Sequence, residues 1–387
     1  HYGGVYILDI TDPANPDSVS TILFPGNATY DVEVVGTTLY LCNFYDGAES
    51  GLFAYDVTTP SAPTLLGSYP LPEGSRAIAA SAAGNYLILV HYYDGIYKFN
   101  ITDPANIVPL GNADVVAGQP RDVRLRTSTT PNVAFVAAYN EDPEVGGVAI
   151  FNATDNALPL LSTYHMGRVR SCAFRTVGAA RLYAGSEDEG LDIVNIVTIG
   201  SPVLLGHYDS AGDINGVVYG NGGTANHFVF LFSWENGIEM VNVTTGSDPI
   251  LHDSEETHGL AKNGFIAGNY LYAADSYDFQ IYSVDWSPVS VDDPVVNVTP
   301  DEYALFSNYP NPFNPVTNLT FHMKKAGNAS ITVYDVMGRQ VAVVADDMFT
   351  SGVHEVQFDA SSLSSGTYFA NFVVDGFSQT QKMLLLK

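Results

Sequence analysis

The sequence predicts an all-β chain in which a repeat-built domain precedes a small sandwich. Three observations carry this. One short apolar motif recurs seven times along the first three quarters of the chain. Tyr (24) and Phe (20) are abundant while Lys and Arg together number 15, a mix that suits pleated, half-buried strands. Gly (35) and Pro (21) supply frequent turns.

The motif reads Gly, apolar, any, apolar, apolar, Asp or Asn, apolar. It occurs as GVYILDI (4–10), GLFAYDV (51–57), GIYKFNI (95–101), GVAIFNA (147–153), GLDIVNI (190–196) and GIEMVNV (237–243). A seventh copy, DFQIYSV (278–284), carries Asp278 in place of the glycine. Successive copies start 41 to 52 residues apart. Ahead of the copies lie two further strand-like runs, such as RDVRLRT (121–127) followed by a run like NYLILVHYYD (85–94). After the first six copies comes a Pro- and Asn/Asp-rich turn and a fourth run. Four short strands in about 45 residues is the period of a propeller blade. Helical repeats need a 3.6 period that is absent. With strands named a to d, strand c occurs seven times and strands a and b six. The fold expected is a seven-bladed β-propeller over residues 1–286 whose first blade is incomplete at its N-terminal side. The expectation is that an upstream piece is missing from the sequence, since it opens at His1 in mid-blade; the alternative is self-association, with a neighbour's strand completing the blade.

The segments LDITDPANP and FNITDPAN, with runs such as NYLYAADSYD ahead of further copies, resemble the bacterial LVIVD-repeat propellers. That resemblance implies the fold and a surface or extracellular setting, and little about a ligand.

Residues 287–303 (SPVSVDDPVVNVTPDEY) carry no repeat and read as a linker. From 304 to 387, about seven short strands with glycine turns at Gly338, Gly352, Gly366 and Gly376 suggest a small immunoglobulin-like β-sandwich. The run Tyr309-Pro310-Asn311-Pro312-Phe313-Asn314-Pro315, then Tyr334-Asp335 with Gly338-Arg339, then Gly366 and Tyr368, then Lys382 to Lys387, resembles the type A C-terminal sorting domain of the type IX secretion system. The resemblance implies export across the outer membrane of a Gram-negative, Bacteroidota-like bacterium. The type IX secretion machinery would be the partner, and the protein would end extracellular or on the outer cell surface. Cleavage of the tail, if it occurs, is expected in the linker before Tyr303.

Net charge is −27, and the first 300 residues carry 34 acids against 10 bases. Such a surface excludes nucleic acid as a partner. No apolar run reaches membrane-spanning length. Cys42 and Cys172 fall in different repeats and are expected as free, buried thiols.

No nucleophile elbow, zincin, Walker or dinucleotide signature is present, so the chain is expected not to be an enzyme. Two acidic loops hold the candidate Ca²⁺ ligands, Glu141, Asp142 and Glu144 in one and Glu187, Asp188 and Glu189 in the other. Neither has an EF-hand pattern, and plain solvated turns are the alternative. His252 to His258, with Asp253, Glu255 and Glu256, is the one local cluster of histidine and acid. Aligned on their apolar positions, the a-strands place Tyr30, Arg76, Arg121, Arg170, Asn215 and Lys262 at one position. Four of these six are cationic in a region poor in bases. Strand a is the innermost strand of a propeller blade. Arg76, Arg121, Arg170 and Lys262 are therefore expected to ring a channel mouth and to attract an anionic glycan or peptide. The alternative is that each pairs with Asp31, Asp122 or Asp213 and merely joins blades. The leading expectation is a secreted, non-enzymatic binding or structural module. The alternatives are an extracellular polysaccharide- or peptide-degrading hydrolase or lyase, and a self-assembling component of a fibre or surface layer.

Overall fold

The computed structural model describes residues 4–24, 28–44, 50–81, 83–175, 180–223, 225–234, 236–257, 259–275, 279–287, 303–305, 313–350 and 352–386. The chain forms two compact units, His1–Pro288 and Val289–Lys387. No helix occurs among the described residues, so none is long and apolar enough to cross a membrane. Most of the expected linker lies outside the described residues.

The first unit contains seven small antiparallel sheets among its described residues. Sheet 1 (5–22) has two strands. Sheets 2 to 6 (29–70, 75–113, 119–165, 169–208, 216–255) have four each, and sheet 7 (263–283) has three. Within every sheet the strands neighbour one another in chain order. The repeated motif forms strand c each time, from Val5–Asp9 in sheet 1 to Phe279–Ser283 in sheet 7.

The motif's glycine and its Asp or Asn have a structural cause. Its glycine has positive φ in all six copies that contain it. A Cβ there would meet the carbonyl oxygen of strand d, at 1.8 Å from Ile22 O for Gly4 and 1.9 Å from Tyr164 O for Gly147. Only glycine fits such a close backbone approach. The seventh copy carries Asp278, outside the described residues, and sheet 7 has no strand d among the described residues. The motif's Asp or Asn accepts the backbone N–H two residues on. Asp9 takes it from Thr11 (2.9 Å), Asn100 from Thr102 (2.9 Å) and Asn242 from Thr244 (3.0 Å). This Asx turn ends strand c and reverses the chain into strand d.

Strand b is buried on both faces, because sheets stack face to face on either side. In Tyr86–His91, Leu87 and Leu89 join sheet 2, while Ile88 and Val90 join sheet 4. Alternation along a strand sends successive side chains to opposite neighbours. Strands a also run side by side from sheet 2 to sheet 7. Side chains lace them together. The Ile78 N–H donates to Asp31 (2.9 Å), Cys172 N–H and Ser171 Oγ donate to Asp122 (3.2 and 2.7 Å), and Val217 N–H donates to Ser171 Oγ (3.1 Å). Cys42 and Cys172 are free and buried, and burial pushes both thiols up.

The second unit has two antiparallel sheets. One joins Ala304–Leu305, Val316–Met323 and Gly352–Asp359; the other joins Gln340–Phe349, Gly327–Asp335, Gly366–Val374 and Phe377–Leu385. Their apolar faces share one core around Leu319, Phe321, Ile331, Phe372 and Met383.

Candidate functional site: a cation–aromatic ring

Strand a of sheets 2 to 5 carries a β-bulge at the same place. The register slips between Thr29 and Asp31, Ser75 and Ala77, Pro120 and Asp122, and Val169 and Ser171. The residues skipped by the register are Tyr30, Arg76, Arg121 and Arg170. A bulge turns its extra side chain away from the sheet faces. In sheets 6 and 7 the residue just ahead of strand a, Asn215 or Lys262, takes this place. All six side chains line one cavity of about 370 Å³, together with Asp31, Asp122 and Trp234. Four cations thus face two acids in a unit that is strongly acidic as a whole.

The cations rest mainly on aromatic rings. The Arg76 guanidinium lies 5.1 Å from the Tyr30 and Phe44 ring centres and 4.8 Å from that of Tyr92. Arg121 sits between Tyr92 (4.8 Å) and Tyr139 (4.9 Å). Arg170 sits between Tyr139 (5.5 Å) and Trp234 (5.4 Å), and Lys262 lies 4.4 Å from Trp234. Cation and aromatic ring alternate from Arg76 to Lys262. Each such contact contributes about 0.5–2 kcal/mol depending on desolvation. An aromatic face holds a cation without cancelling its charge, which a carboxylate would do.

The aromatic residues share a repeat position as well. Phe44, Tyr92, Tyr139 and Trp234 end or directly follow strand b of their own sheet; in sheet 5 this place holds Glu187. Aligning the ends of the b-strands reveals this series in the sequence. The a-strand alignment alone passed it over.

Of the four cations, Arg170 alone forms an ion pair among the described residues, to Glu187 at 2.8 Å. Asp122 pairs with Arg124 instead (3.3 Å), and Asp31 accepts backbone N–H groups from Ile78 and Val32. The expected alternative, ring cations tied to Asp31, Asp122 or Asp213, is not what forms. Arg121 donates to Gln119 (3.2 Å), and the Nε atoms of Arg76, Arg121 and Arg170 are buried without a partner. Burial and the nearby Arg121 charge bring Arg76 down to about 10, and burial lowers Arg121 and Lys262 too. Arg76 nonetheless stays charged at neutral pH. Burial raises the half-buried Asp31 carboxyl to about 7 against the opposing pull of the Ile78 N–H and Arg124.

The structure places the acids offered as Ca²⁺ ligands in two turns, 140–144 and 187–189. No group of three His, Cys, Asp or Glu able to hold a metal occurs among the described residues. Glu187 is drawn to Arg170 and Asp188 to Arg168 (3.3 Å). Glu141, Asp142 and Glu144 lie in an exposed turn where Asp142 caps the Glu144 N–H. Glu189 packs by Gly167 and joins no such group. In the histidine cluster, His252 packs on Phe228 (4.9 Å between ring centres), and His258 lies outside the described residues. A second cleft of about 90 Å³, between Phe230, Met240, Leu271 and Tyr282, brings only acids as charged lining.

In the second unit, Tyr309 to Pro312 and Lys387 lie outside the described residues. Phe313 is buried against Phe358, and its backbone bonds both Leu384 O and the Leu386 N–H, tying the motif to the last strand. Asn314 is exposed, and the Pro315 carbonyl accepts the Ala360 N–H. Gly338 makes the turn that closes on Asp335, whose carboxylate pairs with Arg339 (2.7 Å). Gly366 opens the strand holding Tyr368, whose hydroxyl donates to Ser364 O (2.8 Å), and Lys382 stands opposite Phe369.

Residues 307–386 match the family of secretion system C-terminal sorting domains. That domain marks the chain for secretion to the cell surface or extracellular space. No curated protein matches the sequence. Among solved structures, the chain is similar to PorZ, described as an essential bacterial surface component of the type-IX secretion system of human oral-microbiomic Porphyromonas gingivalis. Identity is 12%, the TM-score is 0.49, and the match covers 93% of this chain and 51% of that one. The chain thus spans about half the length of that structure.

Proposed function

We propose that this protein is a non-enzymatic binding module, sent to the cell surface or beyond through the type IX machinery by a type A sorting domain. Its first unit is a seven-bladed propeller of LVIVD-type repeats with an incomplete first blade. Five successive four-stranded meanders, with strands a adjacent and turned to one cavity, support that reading. The ring is the binding site, and its ligand is anionic. The single observation that carries this is the set of four register-equivalent cations around one cavity, all held by aromatic faces and three of them without an ion pair among the described residues. A non-enzymatic role is supported by the two aliphatic hydroxyls of the lining. Ser171 Oγ is engaged with Asp122 and the Val217 N–H, and Thr29 Oγ1 donates to Asn43. The test is binding of the full chain to an anionic glycan array and to citrate, with Arg121→Ala/Arg170→Ala beside it. Binding by the wild type that the double variant loses supports the reading. Unchanged binding by the variant, or no binding at all, sinks it.

Self-assembly is a second reading, favoured by one observation. Val32 is 43% exposed, whereas its register equivalents Ile78, Val123, Cys172 and Val217 are at most 1% exposed. The face of sheet 2 toward sheet 1 is therefore only partly covered. Val34, two residues on along the same strand, is 58% exposed; sedimentation of the wild type and of Val34→Lys tests the reading, and a concentration-independent monomer in both rejects it.

A further inference from the structure

Glu187 breaks the aromatic series. At the place filled by Phe44, Tyr92, Tyr139 and Trp234, sheet 5 sets a carboxylate against Arg170 at 2.8 Å. Both side chains are about one-fifth exposed (18% and 19%). Burial acts to raise the Glu187 carboxyl, but the Arg170 hydrogen bond and charge outweigh it, so it stays ionised at neutral pH. One oxygen, Oε1, takes the Arg170 bond. The Tyr139 hydroxyl donates to the carboxylate as well.

We infer that Glu187 is the resident anion of the ring, and that the ligand is a small multivalent oxyanion that displaces this carboxylate from Arg170. The inference rests on the reading of the ring as an anion site. Multivalency follows from the spacing of charge. Tyr92 is shared by Arg76 and Arg121, Tyr139 by Arg121 and Arg170, and Trp234 by Arg170 and Lys262. The cations are close enough that Arg121 and Arg170 both depress Arg76. A di- or trianion relieves several of these repulsions at once, and a monoanion fewer. The aromatic faces are already occupied by cations, so they are not platforms for a sugar ring. The residue that sets affinity is then Glu187, an internal competitor occupying one quarter of the cationic set.

The experiment is calorimetric titration of the full chain with citrate, sulfate and acetate. The variants are Glu187→Gln, Asp188→Asn and Arg121→Ala/Arg170→Ala, each first checked by thermal unfolding. Citrate is expected to bind better than acetate, and Glu187→Gln to tighten citrate by about fivefold or more. Asp188→Asn removes the same charge next door, from an exposed pair with Arg168, and is expected to leave affinity unchanged. Acetate binding as tightly as citrate overturns multivalency. A citrate affinity within about twofold of wild type in Glu187→Gln, while the double variant has lost binding, overturns the resident-anion inference and leaves the ring reading standing. No binding of any anion, or full binding by the double variant, overturns the ring reading itself.

Discussion

In the first unit the buried apolar side chains divide into six clusters, each lying between two neighbouring sheets. In the second unit they close on one cluster shared by two sheets. The difference is one of how damage spreads. A serial stack couples each sheet mainly to its neighbours, so stability is a sum of local interfaces. A small sandwich has a single core, and a cavity in it weakens every strand together.

The largest effect is expected from Phe372→Ala in that single core. It should cost about 3–5 kcal/mol, much of what holds a domain of this size. Calorimetry should show the second unit's transition fall while that of the first stays in place. Two transitions moving together would break the contrast between the units. Next comes Gly147→Ala in the first unit, where φ is +142° and the new Cβ would meet Tyr164 O at 1.9 Å. A loss well beyond about 1 kcal/mol is expected, with hydrogen-exchange protection falling in sheet 4 and its neighbours but not in sheet 7. Gly268→Ala is the smaller companion. Its φ is +60° with nothing within 4 Å, so about 1 kcal/mol is expected.

A smaller effect concerns pH at the ring. The Asp31 carboxyl is raised to about 7, so it is neutral below that and ionises above it. Arg124 opposes the rise and Asp122 adds to it. Ionisation adds a negative charge to the cavity wall. Citrate affinity should therefore fall a few fold as pH rises through about 7, and Asp31→Asn should flatten that profile. The sign for stability follows too: a carboxyl raised in the folded state favours folding at low pH and loses that advantage as pH climbs above its unfolded value. A profile unchanged by Asp31→Asn would assign the pH dependence elsewhere. The smallest effect is expected from Arg339→Ala, which removes an exposed ion pair to Asp335 at a turn. The sorting unit's transition should not move measurably, because such pairs are screened by water.

Much of the ring was legible because repeats convert sequence alignment into spatial alignment. Tyr30, Arg76, Arg121, Arg170, Asn215 and Lys262 share a repeat position, and the structure places them round one cavity. The acidic run 187–189 was less legible, because such a run records composition and not direction. Its first two members turn toward Arg170 and Arg168.

The sequence by itself determined the strand content, the repeat, and the places of the glycine and the Asx turn in strand c. It also determined which residues share a register and where the sorting motif stands. These are local and periodic properties, set by backbone sterics and by the two-residue alternation of a strand. Only the tertiary structure decided which partner each ring cation meets. The bulges that turn Tyr30, Arg76, Arg121 and Arg170 aside, the aromatic rings set between cations, and the pairing of Arg170 with Glu187 in place of Asp122 all depend on strand pairing and on how neighbouring sheets meet. A few ångströms between side chains distant in the chain choose between a neutralised ion pair and a retained charge, and no pattern along one strand encodes that distance.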